Sequence, residues 1–132
     1  MNSGKEVNLP VTAVYNDEFD FVETKFTDPL TPDDLHEEIR LYVQLLSKHN
    51  CASVLSDVTK VREFTITTID VFNLPSVQLS AGSSRSYKNA IIPPDTKFGR
   101  EICRFYETVS INRGWKVRNC LTRTEAIDWL TA

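Results

Sequence analysis

Several absences narrow the reading of this sequence first. Four Gly and six Pro in 132 residues are too few for a collagen-like or low-complexity chain. Only two His are present, His36 and His49, 13 positions apart. That spacing puts them roughly 140° apart around a helix, so they cannot offer a metal one shared face, and both read as surface residues. The three Cys, at 51, 103 and 120, form no C-x-x-C pair, which removes the usual zinc and thioredoxin-type motifs. In a reducing compartment such residues act as small buried hydrophobes. No apolar run approaches the ~18 residues of a membrane-spanning helix. The first six residues lack the apolar core of a signal peptide, so the cytoplasm is the expected location. Glycine-rich phosphate loops, H-E-x-x-H and G-x-S-x-G are all missing, and no cofactor is expected.

What is present is one domain's worth of chain, 41% apolar and 25% charged. At this length a core can form without a metal or disulfide staple. The net charge of −3 is unevenly spread. Residues 1–84 hold 6 Lys/Arg against 13 Asp/Glu, and residues 85–132 hold 9 against 5. That balance gives no basic field for nucleic acid. It does suit a weak homodimer, in which Lys116 and Arg118 meet the acidic half of a second copy.

Residues 1–9 read as a flexible N-terminus. A strand over 10–15, a two-residue turn at Asn16-Asp17 and a returning strand from Glu18 to Phe26 predict an antiparallel hairpin. Thr31 is a candidate N-cap with Pro32 in the first helical position. Leu35, Ile39, Tyr42 and Leu46 then form one amphipathic stripe, closed by Asn50. The acidic run Asp33, Asp34, Glu37 and Glu38 reads as a solvated first turn held by the helix dipole. A strand over 52–58 ends at Asp57. A loop follows over 59–66, and then a helix from Thr67 or Thr68 with Ile69 and Phe72 inward, kinked or ended at Pro75. The next strand covers 88–92. A helix capped by Asp95 or Thr96 follows, with Phe98, Ile102, Phe105 and Val109 buried and Gly114 closing it. The last strand puts Trp115, Val117 and Leu121 on one face, and a capping box at Thr122–Glu125 opens a short terminal helix. Alternating strands and helices predict an α/β fold: a five-stranded, mostly parallel sheet with the hairpin strand at one edge.

Three segments carry a family resemblance. Phe98-Gly99-Arg100 leads to Cys103-Arg104-Phe105-Tyr106-Glu107. Glu125-Ala126-Ile127-Asp128-Trp129-Leu130 forms a terminal E-A-x-x-W-L helix. Leu55-Ser56-Asp57-Val58-Thr59 ends a central strand in a carboxylate. Together, over residues 10–132, they resemble bacterial STAS-like domains, the fold of anti-sigma-factor antagonists, some of whose relatives resemble lipid-transfer domains. The resemblance implies binding rather than catalysis. It also implies docking of a partner protein through the loop and helix after Asp57, which makes Asp57, Lys60, Arg62, Thr65, Thr67 and Thr68 the candidate binding residues. In antagonist members a Ser or Thr there is phosphorylated, usually within an Asp-Ser-Ser-Gly-type segment. Here Phe64-Thr65-Ile66-Thr67-Thr68 has the hydroxyls without that motif. Thr67 is the candidate phosphorylation site, and Thr67 and Thr68 read first as N-caps. The alternative reading is a carrier or sensor of a small apolar or anionic ligand. Its groove would lie under the Pro75 helix and be lined by Phe64, Ile66, Phe72, Leu74, Val77 and Leu79.

Overall fold

The computed structural model describes residues 9–132. The expected flexibility of residues 1–9 therefore falls almost wholly outside the described residues. The elements are β1 (Val11–Asn16), β2 (Phe21–Phe26), α1 (Pro32–His49), β3 (Ser53–Asp57), α2 (Thr68–Ser80), β4 (Lys88–Ile92), α3 (Lys97–Asn112), β5 (Lys116–Asn119) and α4 (Arg123–Thr131). The sheet runs β1-β2-β3-β4-β5, antiparallel between β1 and β2 and parallel thereafter.

Strand order follows chain order, so each right-handed crossover lands on the same side of the sheet. α1, α2 and α3 accordingly share one face. Their packing buries Ile39, Leu46, Val54, Leu74, Ile91 and Ile102 against it. α4 turns back over β3 and β4 on the other face, where Ala126 and Leu130 meet Phe21, Leu55, Ala90 and Ile92. With both faces covered, β4 ends in an unbroken apolar run, Ala90-Ile91-Ile92, while β2 and β3 carry polar residues among their apolar ones.

Several sequence expectations hold. Thr31 caps α1 with Pro32 in its first turn, Asn50 closes it in the left-handed region, and Gly114 at φ 86° follows α3. All three cysteines are buried. Thr96 caps α3, and Thr67 caps α2 in a reciprocal box with Asp70.

Other expectations need correction. The hairpin reverses over residues 17–20 rather than at Asn16-Asp17. Asp20 adopts φ 59°, Phe19 N–H donates to Asn16 Oδ1, and Tyr15 Oη donates to Asp20. Phe19 is consequently exposed. In α2 the capping box fixes the register so that Val71, Leu74 and Gln78 point inward, leaving Ile69 and Phe72 outside. Phe72 instead lies under the Arg113 guanidinium, 4.1 Å from its ring centroid. Pro75 does not end α2, which continues to Ser80. In α3 the buried stripe is Gly99, Ile102, Cys103 and Val109. Phe98 is exposed and Phe105 only half-buried at the margin of the core. β5 stops at Asn119, so Leu121 is in solvent rather than beside Trp115 and Val117. The α4 cap is a variant of the box, because Glu125 reaches back to the Leu121 N–H instead of to Thr122. The acidic run of α1 is not uniformly solvated, since Asp34 and Glu38 are both buried.

Candidate ligand cavity

Glu38 is the buried charge-bearing residue whose position decides the character of the site. It lies three residues after Leu35 and four before Tyr42, inside the stripe that packs on the sheet. Opposite it, on the face of α1–α3, stand Thr24 of β2, Ser56 of β3 and Asn89 of β4. Parallel registration pairs Thr24 with Ser56, and the alternation of the strands aims these side chains at the helices. Thr24 Oγ1 donates to Glu38 Oε2 at 2.6 Å and Ser56 Oγ donates to the same oxygen at 2.9 Å. Asn89 Nδ2 donates to Ser56 Oγ at 3.0 Å. The polar row thus crosses three strands, with Thr24 and Ser56 donating to one carboxyl oxygen and Asn89 donating to Ser56 behind them. Burial pushes the Glu38 carboxyl above its ordinary range, against the pull of the two hydroxyl hydrogen bonds.

A second polar group enters from α2. Gln78, 6% exposed, donates from Nε2 to Tyr42 Oη at 3.1 Å and to Tyr106 Oη at 2.8 Å, while its Oε1 is buried with no partner among the described residues. Turning the amide over would exchange the two ends and still leave one of them over. Desolvation holds the Tyr42 and Tyr106 phenols well above their ordinary values.

Glu38, Ser56, Asn89, Gln78 and Tyr106 border a partly open cavity of about 70 Å³ between the sheet, α1, α2, α3 and the loop before α2. Phe26 and Ile91 form its floor, Leu35 and Ile39 one wall, and Ile102, Cys103 and Tyr106 another. Phe64 and Ile66 close it from the loop, and Val71 and Leu74 from α2. The loop is held there by Asp28, whose Oδ1 accepts from the Arg62 and Glu63 N–H groups, and by a parallel bridge between Leu30 and Phe64. Those backbone donors lower the Asp28 carboxyl below its ordinary value. Gly99 opens α3 against this corner. A Cβ there would lie 2.3 Å from Pro94 Cγ and 3.2 Å from Phe64 Cε1, so only glycine permits the approach. Smaller still is a neighbouring void of about 10 Å³, also bordered by Gln78.

Of the residues singled out from the sequence, Asp57, Arg62, Thr65 and Thr67 are each held by a separate partner rather than brought together. Asp57 Oδ1 accepts from the N–H and hydroxyl of Thr59, at 2.9 and 2.6 Å. Arg62 pairs with Asp95. Thr65 Oγ1 donates to the Leu30 carbonyl, and Thr67 accepts from the Asp70 N–H. Lys60 and Thr68 are exposed. Of the six groove residues expected, Phe64, Ile66 and Leu74 line the cavity. Phe72 and Leu79 face solvent, and Val77 packs toward α1. Glu38, Gln78, Ser56, Asn89 and Tyr106 were not expected there. For Glu38 and Gln78 a signal existed, since each is a polar residue at an apolar helical spacing. Ser56 and Asn89 carried none, because no pattern in the chain says which strand faces which helix.

No protein-family model matches the sequence, and no curated protein matches it. Among solved structures, the chain is similar to an uncharacterized protein of the DUF3478 family with a SpoIIAA-like fold from Shewanella loihica PV-4. The TM-score is 0.61 at 18% sequence identity, over 96% of this chain and 99% of that one. The fold is SpoIIAA-like. The resemblance to STAS-like domains is thereby shown at the level of architecture: a single α/β domain, mixed sheet and four helices. No helix among the described residues is long and apolar enough to cross a membrane.

Proposed function

We propose that this SpoIIAA-like module binds rather than catalyses, and that it holds a small, mostly apolar molecule in the cavity between the sheet and α1–α3. The observation that carries this reading is Gln78. A buried amide with one end unpartnered is costly, on the order of 1–3 kcal/mol, and it borders an apolar void beside a second polar group, Glu38. Of the three buried polar atoms left without a partner among the described residues, Gln78 Oε1, Ser110 Oγ and Asn119 Oδ1, only that of Gln78 belongs to a residue lining this cavity, and ligand sites combine apolar walls with a few convergent polar atoms. The test is an amide-resolved NMR titration with propan-1-ol, propylamine and propionate. At least one is expected to shift the amides of Ile66, Gln78 and Asn89. No shift with any of the three would overturn the reading.

A second reading, docking of a partner protein through the same region, is favoured by the outer surface of the cavity's lid. The loop and α2 that supply Phe64, Ile66 and Val71 to the interior present Lys60, Arg62, Thr65, Thr67 and Thr68 outward, with Ile69 and Phe72 exposed beside them. Thr67 is an exposed hydroxyl at a helix N-terminus, where an added phosphate is electrostatically tolerated. Comparing wild type, Thr67→Ala and Thr67→Glu in a pull-down, with Tm as the control, tests this. A partner lost only from Thr67→Glu supports docking, and equal recovery by all three removes it.

A further inference from the structure

We infer that the ligand of this cavity is a small primary amine, bound as its ammonium with an alkyl tail of a few carbons. The inference rests on the proposed binding function and names its ligand class.

The first ground is the balance of hydrogen-bonding atoms left over in the wall. Both described hydrogen bonds to Glu38 go to Oε2, so Oε1 is not engaged by them. Gln78 Oε1 is unpartnered. All described hydrogen bonds of the Asn89 side chain are donated by Nδ2. Glu38 Oε1 and Asn89 Oδ1 therefore have acceptor capacity to spare, and in this amide orientation Gln78 adds a third oxygen. The three side chains line the same cavity, and Ser56 Oγ links two of them, lying 2.9 Å from Glu38 Oε2 and 3.0 Å from Asn89 Nδ2. An ammonium is the complementary group, with three donors and no acceptor.

The second ground is charge. Among the described residues no Lys, Arg or His lines the cavity, and Glu38 is its one carboxyl. An anionic head would find a carboxyl and no counter-charge, in an apolar setting where that is most costly. A cation would favour the charged form of Glu38 that burial disfavours, so its binding would draw the proton off this carboxyl and supply the ion-pair partner in its place. The third ground is size. At about 70 Å³ the cavity is roughly half the ~150 Å³ that admits benzene, which suits three or four heavy atoms. The walls around the polar atoms, Phe26, Ile39, Leu74 and Ile102, accept an alkyl tail.

Propylamine, propan-1-ol and propionate share a tail and differ in the head, so their Kd values measured by NMR titration decide the matter. Propylamine is expected to bind at least tenfold more tightly than propan-1-ol, with propionate weakest. Glu38→Gln should bring the amine-to-alcohol ratio down to about one. Should that variant not fold, Gln78→Leu serves in its place, and a fall in amine affinity of about fivefold or more is expected. Propan-1-ol binding as well as or better than propylamine would overturn the amine assignment while leaving the cavity a ligand site. A preference for propylamine that survives both substitutions would place the amine elsewhere and overturn it too. Silence from all three probes would overturn the binding reading with it.

Discussion

Replacing Glu38 by Gln should make the protein's stability less sensitive to rising pH. The substitution keeps the shape of the side chain, and the amide carbonyl can still accept from Thr24 Oγ1 and Ser56 Oγ, which in the wild-type chain lie 2.6 and 2.9 Å from Oε2. In wild type the folded-state pKa of Glu38 is raised above the unfolded value near 4.5, because burial disfavours its charge. Well below pH 4.5 the group is protonated in both states and contributes no pH dependence. Above it the unfolded chain releases the proton while the folded chain retains it. Stability therefore falls as pH rises, by about 1.4 kcal/mol per pH unit until the folded-state pKa is passed. The substituted amide has no proton to release, so the difference in unfolding free energy between variant and wild type should move in the variant's favour through this window. For a domain of this size each kcal/mol corresponds to roughly 3–6 °C in Tm. Urea unfolding of both proteins at about half-unit steps from roughly pH 4 to pH 8 measures the difference directly. Tyr42 and Tyr106 beside Glu38 titrate far above this range. The carboxylates of Asp28, Glu37 and Asp95, whose pKa values are lowered, lose their contribution as pH falls and are common to both proteins. Parallel pH profiles for the two proteins would refute the argument that Glu38 is held protonated by burial.

Four further outcomes are expected. Gly99→Ala should destabilise the protein by about 1–3 kcal/mol despite the better helix propensity of Ala, because the new Cβ meets Pro94 Cγ at 2.3 Å and Thr96 Oγ1 at 2.6 Å; a higher urea midpoint would contradict this. Leu55→Ala, at a fully buried site, should cost about 2–5 kcal/mol. Phe105→Ala at the half-buried margin should cost clearly less than the ~3–5 kcal/mol of a core Phe, and chemical denaturation orders the two. The sheet puts β5, with exposed Lys116 and Arg118, at the edge opposite β1. Any head-to-tail dimer through those charges should dissociate as salt screens them over ~8 Å, and sedimentation showing only monomer at high concentration and low salt would exclude it.

The order of elements and the fold class could be read from the chain because they rest on local chemistry: Thr31, Thr67 and Thr96 as caps, Asn50 and Gly114 as stops, and apolar runs at strand or helix spacing. These act within a few residues of themselves, so sequence alone specifies them. The candidate site was legible only in part. Phe64, Ile66 and Leu74 were expected there as apolar residues around a helix broken at Pro75, and they line the cavity although α2 continues through Pro75. The inward register of α2, by contrast, depended on the capping box fixing Val71, Leu74 and Gln78 against the sheet, and this reversed the expected roles of Ile69 and Phe72. Glu38 looked like one more carboxylate in an acidic first turn. Tertiary structure made it something else by placing Thr24, Ser56 and Asn89, from three different strands, against the one helical face it occupies. Whether a polar residue at an apolar spacing is tolerated depends on what stands opposite it. That partner is set by strand register and by the right-handed crossovers that stack α1, α2 and α3 on one face, and neither is encoded near residue 38.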